Sequence, residues 1–435
     1  MSGPQRATLI EPRSRRSPPG GLGERAVDNP IRIGLIGLGP RARGNVVAKT
    51  IRYADYELVA VCDRRAGLAA QVAADIERDH QHVVRHYADA EKMLAAEELD
   101  AVAVLVDPDQ QIPVACAALE GGCHVMCEVP LTYSLAHCWQ AVVTVERTGK
   151  QLFLMEQLRY SGYVRAWRKI VDQGVIGKPL FVEGEYFSCK GGDVLFQDAD
   201  GVYYTPEQAA RYPERGPTPT WRHLTPAIGY LPHELSPMLY VIDDRVTRVV
   251  GMSTRQQSYR YPTAAKADIQ VALMHTAKDV VLRMAVGHTS SAMPRRVGAG
   301  ESAHWHHVKG SHGVLELGRT PGEKPKMWVE DWDMGAPLSV EWSEARHHDP
   351  PEVAATGDGG QGDHGGRDYY AFAAFADTVL RGEPLEMDVY TGVETAAPAA
   401  AAIASIEQGS APQSVPDFRP GPHRKAGELP AGVTI

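Results

Sequence analysis

The segment from Ile31 to Gly44, IRIGLIGLGPRARG, holds the residues whose types and spacing most clearly suit chemistry. An apolar run predicts a buried strand, which gives way to Gly37 and Gly39 and then to a helix containing Ala42. In this spacing the first glycine permits a tight turn, the second lets a pyrophosphate approach the backbone, and the alanine lets helix and strand pack closely. Free N–H groups at the helix start would face the phosphates. The segment therefore predicts a dinucleotide site, with a phosphate loop used only for packing as the alternative.

The choice of cofactor depends on the end of the next strand. An apolar run from Glu57 to Cys62 is followed by Asp63, about twenty residues beyond the glycines. A carboxylate at this point can accept both ribose hydroxyls of NAD, and it repels the 2′-phosphate of NADP. Arg64 follows directly and would suit that phosphate. The pattern favours NAD and leaves NADP as the alternative.

The elements that must position these residues alternate regularly through the first part of the chain. The apolar patterns predict helices and strands in turn: helix 66–79, helix 90–98, strand 101–106, helix 113–120, strand 123–127 and helix 135–148. Strand 101–106 is apolar on both faces, as a central parallel strand must be. The alternation predicts an α/β fold, with an N-terminal Rossmann-type, doubly wound parallel sheet.

From Gln151 onward the rhythm changes. Strand patterns separated by Pro- and Gly-rich loops now dominate: helix 160–173, strands 180–188, 248–254, 268–275, 280–286 and 313–317, loop 349–366, helix 368–381, and loop from 412. Clustered strands after a parallel unit predict a C-terminal α+β domain with a largely antiparallel sheet. The predicted organisation is a disordered arm over 1–30, a nucleotide domain over 31–150, a substrate domain over 151–420 and a tail over 421–435.

Composition narrows the function classes. The chain has 435 residues, a net charge of -9 and 43% hydrophobic residues, which is typical of a globular protein of two domains. The negative charge argues against a nucleic-acid partner, and no apolar run reaches the length of a membrane span. Arg15-Arg16 invites an export interpretation, but a Pro/Gly stretch follows where an export signal needs apolar residues. Six cysteines without a C-x-x-C pair suit reduced thiols, so we expect a cytoplasmic protein.

The end of a late strand carries a family signature. Cys127-Glu128-Val129-Pro130 follows an Ala-Leu-Glu-Gly-Gly-Cys-His-Val run, and side chains at this sheet edge meet the ligand. With the glycine loop and Asp63, these residues make the chain resemble the glucose–fructose oxidoreductase and inositol dehydrogenase-like family. That family usually has Glu-Lys-Pro here, with a lysine that takes part in proton transfer. Because Val129 cannot transfer a proton, ordinary dehydrogenase chemistry loses a key group.

One subgroup of that family carries Glu-Val-Pro, and the chain resembles it elsewhere too. The subgroup comprises the NAD-dependent glycosidases of glycoside hydrolase family 109, the α-N-acetylgalactosaminidases. The resemblance spans residues 31 to about 420 and includes the following segments: Leu154-Met155-Glu156-Gln157, Glu183-Gly184-Glu185-Tyr186, Trp221-Arg222, Tyr230-Leu231-Pro232-His233-Glu234-Leu235-Ser236-Pro237, His364-Gly365-Gly366-Arg367-Asp368 and Pro416-Asp417-Phe418. The set is specific as a whole, although no single segment is.

The resemblance implies a set of site residues. It implies three catalytic residues, His233, Tyr186 and Tyr230. Cofactor binding is predicted for the glycine loop and later strand ends: Gly37, Gly39, Pro40, Arg41, Ala42, Asp63, Arg64, Asp107, Glu128 and Glu156. Substrate binding is predicted for Trp221, Arg222 and His364, and no metal is predicted. Pro232 and Glu234 depart from the subgroup, which has Thr and Gly around its histidine, so the preference for N-acetylgalactosamine is open.

The same residues also have plainer interpretations. His233 suits proton transfer near neutral pH, or it caps a helix or packs in the core. Tyr186 could be a core aromatic residue of its strand, and Trp221 either stacks on a sugar or fills the core. His304 and His306 alternate onto one strand face, but no acidic or cysteine partner for a metal is evident in the sequence.

These observations predict an NAD-dependent glycosidase. It would oxidise C3 of a sugar, remove the C2 proton, eliminate the C1 substituent, add water and return the hydride. The second hypothesis is a sugar or cyclitol dehydrogenase that releases NADH and uses His233 in place of the missing lysine. The third is a nucleotide-sensing regulatory protein without activity. We expect a carbohydrate substrate and, as in relatives, a homodimer or homotetramer.

Overall fold

The computed structural model describes residues 29–188, 194–199, 201–290, 304–319, 323–329, 338–339 and 367–435. These residues form two large sheets, one from the N-terminal part of the chain and one from the C-terminal part. The predicted α/β class, with a parallel sheet followed by an α+β region, is confirmed. In the described part of the chain, no helix has both the length and the apolar character to cross a membrane.

The first sheet has six strands, and every pairing in it is parallel. The strands in chain order are β1 (Ile31–Ile36), β2 (Tyr56–Cys62), β3 (Arg85–Tyr87), β4 (Ala101–Val104), β5 (His124–Cys127) and β6 (Leu152–Leu154). Their spatial order is β3-β2-β1-β4-β5-β6, which reverses direction between β1 and β4. Ligands of open α/β sheets bind where the order reverses, outside the carboxyl ends of the strands. The residues that directly follow β1, β2, β4 and β5 therefore lie at the same edge of the first sheet.

Helices cover both faces of this sheet. They are α1 (Val47–Arg52, preceded by a π-helical turn, Ala42–Val46), α2 (Ala66–His80), α3 (Ala90–Ala96), α4 (Pro108–Glu120) and α5 (Leu135–Thr148). The sequence places the start of α4 at Pro113, and this is wrong. Pro108 opens the helix after Asp107, and Pro113 lies inside it, at the cost of one backbone hydrogen bond.

The remaining strands are β7 (Pro179–Phe187), β8 (Phe196–Gln197), β9 (Tyr203–Tyr204), β10 (Thr218–Pro219), β11 (Val246–Ser253), β12 (Gln270–Thr276), β13 (Val281–Gly287), β14 (His304–Gly310), β15 (Gly313–Glu316), β16 (Lys326–Val329), β17 (Leu338–Ser339) and β18 (Gln413–Ser414). The second sheet has nine of them in the order β17-β16-β15-β14-β7-β13-β12-β11-β18. All its pairings are antiparallel except β7 with β13. A small three-stranded sheet has the order β10-β8-β9. β7 therefore lies in the centre of the sheet, between β13 and β14.

The helices of the C-terminal part lie between and beside the sheets. They are α6 (Gly162–Asp172), α7 (Pro206–Arg211), α8 (Trp221–Leu224), α9 (Pro232–Ile242), α10 (Arg367–Arg381) and α11 (Val389–Glu407), with 3₁₀ turns at Gln157–Tyr160, Pro213–Arg215 and Ala227–Tyr230. α11 is absent from the predicted elements. Its residues are buried on most sides, so it lacks the amphipathic period by which helices are recognised.

The two parts of the chain are joined through α10, which packs on the first sheet. Tyr56 on β2 donates a hydrogen bond to the carbonyl oxygen of Phe372 at 2.6 Å, and Tyr53 meets Tyr369 edge-on with ring centroids 5.5 Å apart. The proposed domain boundary at residue 150 also falls just before β6, which is the edge strand of the first sheet. In space, the N-terminal unit therefore contains residues from both ends of the sequence.

Candidate active site

The glycine loop has the geometry that a bound pyrophosphate requires. Gly37 has φ +93°, a left-handed value that favours glycine, and its N–H donates to the Cys62 carbonyl oxygen at 2.8 Å. A Cβ at Gly37 would lie 2.5 Å from the carbonyl oxygen of Leu105. A Cβ at Gly39, in contrast, would meet no described atom within 4 Å. The first glycine is thus required by the protein itself, whereas the second leaves open space beside the backbone.

Asp63 lies directly after β2 and is fixed by the loop. Its carboxylate accepts the N–H of Leu38 at 2.9 Å and the N–H of Arg65 at 3.0 Å. Burial works to raise the pKa of Asp63, but the hydrogen bonds and charge of Arg65 and the Leu38 N–H lower it overall, so the group is ionised at neutral pH. Arg64 is exposed beside it. Asp107, in the cap position of α4, has a pKa raised by burial.

Replacing Asp63 by alanine should weaken NAD binding by about 1–3 kcal/mol, because charged hydrogen bonds to the ribose would be lost. The matched control is Asp63→Asn, which keeps an acceptor for the Leu38 N–H and isolates the effect of the charge. Titration calorimetry with NAD and NADP measures both affinities. Tighter binding of NADP than NAD by the wild type would contradict this role for Asp63.

Arg41 links the glycine loop to the rest of the site. Its guanidinium contacts the Glu128 carboxylate at 3.0 Å and Asp368 of α10 at 2.9 Å. Its pKa is raised: burial opposes the charge, but these two carboxylates more than compensate. Pro40 is exposed at the mouth of the loop, and Ala42 is buried against the sheet, as close packing of helix and strand requires.

The carboxylate of Glu156 and the imidazole of His233 form a close pair. Nδ1 of His233, on α9, lies 2.6 Å from Oε2 of Glu156, which directly follows β6 and Met155. Glu156 is fully buried, and its other oxygen accepts the N–H of Leu158 at 2.8 Å. Burial lowers the pKa of His233, but the charge of Glu156 outweighs this and raises it overall. A buried carboxylate this close stabilises the protonated imidazole, so the pair suits proton transfer.

Aromatic rings surround the His233 imidazole. Its ring centroid is 5.9 Å from that of Tyr186, on β7, and 5.5 Å from that of Tyr230. Trp221 stacks on Tyr230 at 5.5 Å with an interplanar angle of 14°. Arg222 donates a hydrogen bond of 2.7 Å to the Tyr230 hydroxyl. Five of the residues named as site candidates, one from β7 and four from the segment 221–233, therefore lie in one cluster.

Three residues of this cluster are missing from the sequence-based set. His288 packs edge-on against Tyr186, with centroids 5.3 Å apart, and burial lowers its pKa well below the usual value. His304 stacks on Tyr186 at 4.3 Å, and its Nδ1 contacts the carboxylate of Glu234. The expectation that His304 and His306 share a strand face is met, since both contact Glu234. The acidic partner that the sequence analysis does not find is therefore Glu234.

No group of three or more His, Cys, Asp or Glu residues in the described ranges is arranged to hold a metal ion. The five described cysteines are buried and free: Cys62, Cys116, Cys123, Cys127 and Cys138. His364, predicted to bind substrate, lies outside the described residues, as does Cys189. Val129 is buried directly after Glu128. The site thus combines a dinucleotide loop, a carboxylate–imidazole couple and an aromatic wall.

These features define a class: dinucleotide-dependent proteins in which a doubly wound sheet precedes an α+β domain. Both the N-terminal and the C-terminal part of the chain match a known protein family. Residues 31–156 match the model of the oxidoreductase family with an NAD-binding Rossmann fold, Gfo/Idh/MocA. Residues 250–425 match the model of the glycosyl hydrolase 109 C-terminal domain.

Individual relatives agree with these matches. An α-N-acetylgalactosaminidase of Tannerella forsythia is 26% identical over 91% of this chain and 87% of its own. A glycosyl hydrolase family 109 protein of Saccharopolyspora erythraea is 25% identical over 90% of this chain and 84% of its own. The scyllo-inositol dehydrogenase of Lactobacillus casei, solved with NAD(H) and scyllo-inositol, is 14% identical, with a TM-score of 0.63 over 89% of this chain and 99% of its own.

Two segments of the chain therefore match the NAD-binding Rossmann fold of the Gfo/Idh/MocA oxidoreductase family and the C-terminal domain of glycosyl hydrolase family 109, respectively. It is an enzyme with NAD-dependent glycosidase or oxidoreductase activity, and its cofactor is NAD. The predicted resemblance and cofactor are confirmed.

Proposed function

We propose that this enzyme is an NAD-dependent glycosidase that cleaves a glycosidic bond by transient oxidation and elimination. The proposal rests on which side chains of the site can transfer a proton and which cannot. Val129 is buried and cannot transfer a proton, at the position where the resemblance implies a proton-transferring lysine in dehydrogenases. A different proton carrier, the Glu156–His233 couple, lies against Tyr186. The proposed reaction moves protons at more than one sugar atom, and an imidazole paired with a carboxylate beside a tyrosine suits that task.

The residues of the glycine loop fit NAD. The left-handed turn at Gly37, the open space at Gly39 and the ionised Asp63 match the needs of a pyrophosphate and a ribose. Bound NAD would supply a hydride acceptor for C3 of the sugar and return the same hydride at the end. We propose that the remaining cofactor contacts come from the residues predicted for this role: Pro40, Arg41, Ala42, Arg64, Asp107, Glu128 and Glu156.

The chain's own residues would handle the protons. One of His233 and Tyr186 takes the proton of the C3 hydroxyl as the carbon loses its hydride. The new ketone acidifies the C2 hydrogen, and the other residue takes that proton. Electrons of the C2–H bond form the C1=C2 double bond while the C1–O bond breaks, and water later adds in the reverse sense. Elimination of this kind needs no pair of spaced carboxylates, unlike ordinary glycoside hydrolysis.

The rest of the cluster would hold the sugar. We propose that Trp221 forms a stacking platform, that Arg222 and His364 contact hydroxyl groups, and that Tyr230 lies beside the reacting atoms as a third catalytic residue. The substrate would then be a glycoside, in line with the name of the Tannerella forsythia relative. The predicted homodimer or homotetramer, the cytoplasmic location and the absence of a nucleic-acid partner stay predictions.

Cleavage in heavy water tests the mechanism. The released sugar should carry deuterium at C2, because the C2 proton exchanges with solvent before water adds. Turnover should continue with catalytic rather than stoichiometric NAD, because the hydride returns to C3. Aryl glycosides, beginning with N-acetylgalactosaminides, are incubated with the purified protein, and the products are analysed by mass spectrometry.

Two outcomes would contradict the proposal. Released sugar without deuterium would exclude C2 deprotonation. A keto sugar that accumulates one-for-one with NADH would support the second candidate, a sugar or cyclitol dehydrogenase in which His233 replaces the lysine. The Glu156–His233 couple is the observation that keeps this candidate open, since a single oriented imidazole is enough for a simple dehydrogenase.

A further inference from the structure

The Asp63 carboxylate, which is predicted to hold the ribose of NAD, already accepts a full set of hydrogen bonds from the protein. An ionised carboxylate accepts about four hydrogen bonds, two at each oxygen. Oδ2 accepts the N–H of Leu38 at 2.9 Å and Nη2–H of Arg65 at 3.2 Å. Oδ1 accepts the backbone N–H of Arg65 at 3.0 Å and its Nε–H at 2.9 Å. A ribose hydroxyl can therefore bind Asp63 only by replacing one of these donors.

The donors that a ribose can replace are those of the Arg65 side chain. The two backbone donors belong to the glycine loop and to the start of α2, so the fold fixes them. The guanidinium lies at the end of a flexible side chain, 41% of which is accessible, whereas 6% of the Asp63 side chain is accessible. The mobile partner therefore covers the buried carboxylate from the outside, and each of its two hydrogen bonds occupies one Asp63 oxygen.

Removal of the guanidinium from Asp63 costs little free energy. A partly exposed ion pair contributes little to stability, because water solvates the separated charges. The pKa of Arg65 is raised, chiefly by its hydrogen bonds to Asp63 and, to a smaller extent, by the charge of Asp107, although burial lowers it. Asp107 is thus a second carboxylate whose charge acts on Arg65 once it leaves Asp63.

We propose that Arg65 determines cofactor selectivity, because it competes with the ribose of NAD for Asp63 and binds the 2′-phosphate of NADP. Arg65 yields its two positions on the Asp63 carboxylate to the ribose hydroxyls when NAD binds. It stays between that carboxylate and the 2′-phosphate when NADP binds, so it cancels their repulsion and pairs with the phosphate as arginine commonly does. Arg65 thus narrows the preference for NAD that Asp63 alone would give. This inference concerns the cofactor and does not depend on the proposed glycosidase function.

Arg65→Met tests this role, since it removes the guanidinium and keeps a long, flexible side chain. NAD should bind about 2–5-fold more tightly to this variant than to the wild type, because the competing ion pair is gone. NADP should bind about 10–100-fold more weakly, because its phosphate loses a charged partner and meets the bare carboxylate. Titration calorimetry with each dinucleotide, on protein freed of bound dinucleotide by dialysis, measures both affinities without any enzymatic assay.

Two further variants separate competition from a general effect of charge. Arg64→Met removes the exposed neighbouring charge but leaves Arg65 on Asp63, so it should weaken NADP binding without strengthening NAD binding. The matched control is Arg78→Met, which removes the same charge from the far end of α2, where Arg78 pairs with Asp75 at 2.6 Å. Both affinities should then equal those of the wild type. Circular dichroism establishes that each variant is folded.

The double variant decides whether the effect passes through Asp63. Competition requires the carboxylate, so Arg65→Met should no longer strengthen NAD binding when Asp63 is alanine. Weaker NAD binding by Arg65→Met, or unchanged binding of both dinucleotides, would overturn the proposal. A gain in NAD affinity that persists in the Asp63→Ala background would overturn it too. Tighter NAD binding together with weaker NADP binding, with the gain for NAD lost in the double variant, supports it. A failure of the glycosidase proposal would leave each of these results unchanged.

Discussion

His233→Ala should lower turnover by about 10²–10⁴-fold while leaving NAD bound, the loss expected for a general acid–base group. Nδ1 of His233 lies 2.6 Å from the buried Glu156, and no other described histidine is paired with that carboxylate. The NAD loop is formed by other residues, so cofactor content should not change. Steady-state kinetics on the best glycoside, with NAD quantified after denaturation, measures both quantities.

The matched control for this variant is His275→Ala. His275 lies on the partly exposed side of β12 and pairs with Asp279 at 3.0 Å, away from the aromatic cluster. Its loss should leave turnover unchanged. Wild-type turnover in His233→Ala, or loss of bound NAD together with activity, would contradict the assignment.

The charge of Glu156 can be tested through the pH profile. Burial lowers the pKa of His233, and the opposing charge of Glu156 raises it overall. Glu156→Gln removes that charge, so the imidazole should lose its proton at lower pH than in the wild type. The limb of the pH–rate profile that reports His233 should therefore shift toward acid.

Gly37→Ala should destroy NAD binding and destabilise the N-terminal unit. The left-handed backbone at Gly37, φ +93°, costs about 1–3 kcal/mol with any side chain, and the new Cβ would lie 2.5 Å from the Leu105 carbonyl oxygen. Thermal unfolding and NAD titration measure the two losses. We expect a clear fall in the unfolding temperature and no saturable NAD binding.

Two neighbouring glycines are controls of different kinds. A Cβ at Gly44 would meet no described atom within 4 Å, so Gly44→Ala should bind NAD normally and be as stable as the wild type. A Cβ at Gly39 is equally unobstructed by described atoms, yet it would occupy the space that a pyrophosphate needs. Gly39→Ala should therefore keep its stability and lose affinity for NAD. Normal NAD binding by Gly37→Ala would contradict this account of the loop.

The N-terminal part of the fold was largely predictable because its signals are local. α5 begins and ends where the sequence places it, since the Ser134 side chain accepts the N–H of His137 and Gly149 adopts the left-handed conformation that ends a helix. α11 was not predictable, because burial on most sides removes the period that marks a helix.

The sequence predicts candidate site residues one by one, and the structure brings several of them together, but the sequence gives no indication of which side chains pair. Glu156 and His233 each belong to a segment that resembles the family, yet nothing local indicates that the end of β6 meets α9. Glu234 is visible in the sequence only as a departure from relatives. Its purpose follows from tertiary structure alone, since His304 and His306 lie on a strand that is distant in sequence. The sequence thus indicates candidate residues without the geometry that pairs them.

The packing of α10 on the first sheet bears on how such a chain can be recombined. Asp368 ion-pairs with Arg41 of the glycine loop, and Tyr56 is tied to Phe372. The segment that matches the oxidoreductase family ends at residue 156, so it does not include α10, the helix that packs on the first sheet. A chimera joined at that point would keep the contact between Arg41 and Glu128 but would lose the contact between Arg41 and Asp368. Exchange of cofactor domains between relatives should therefore succeed only when α10 is transferred as well, so that two separate segments of the chain are exchanged together.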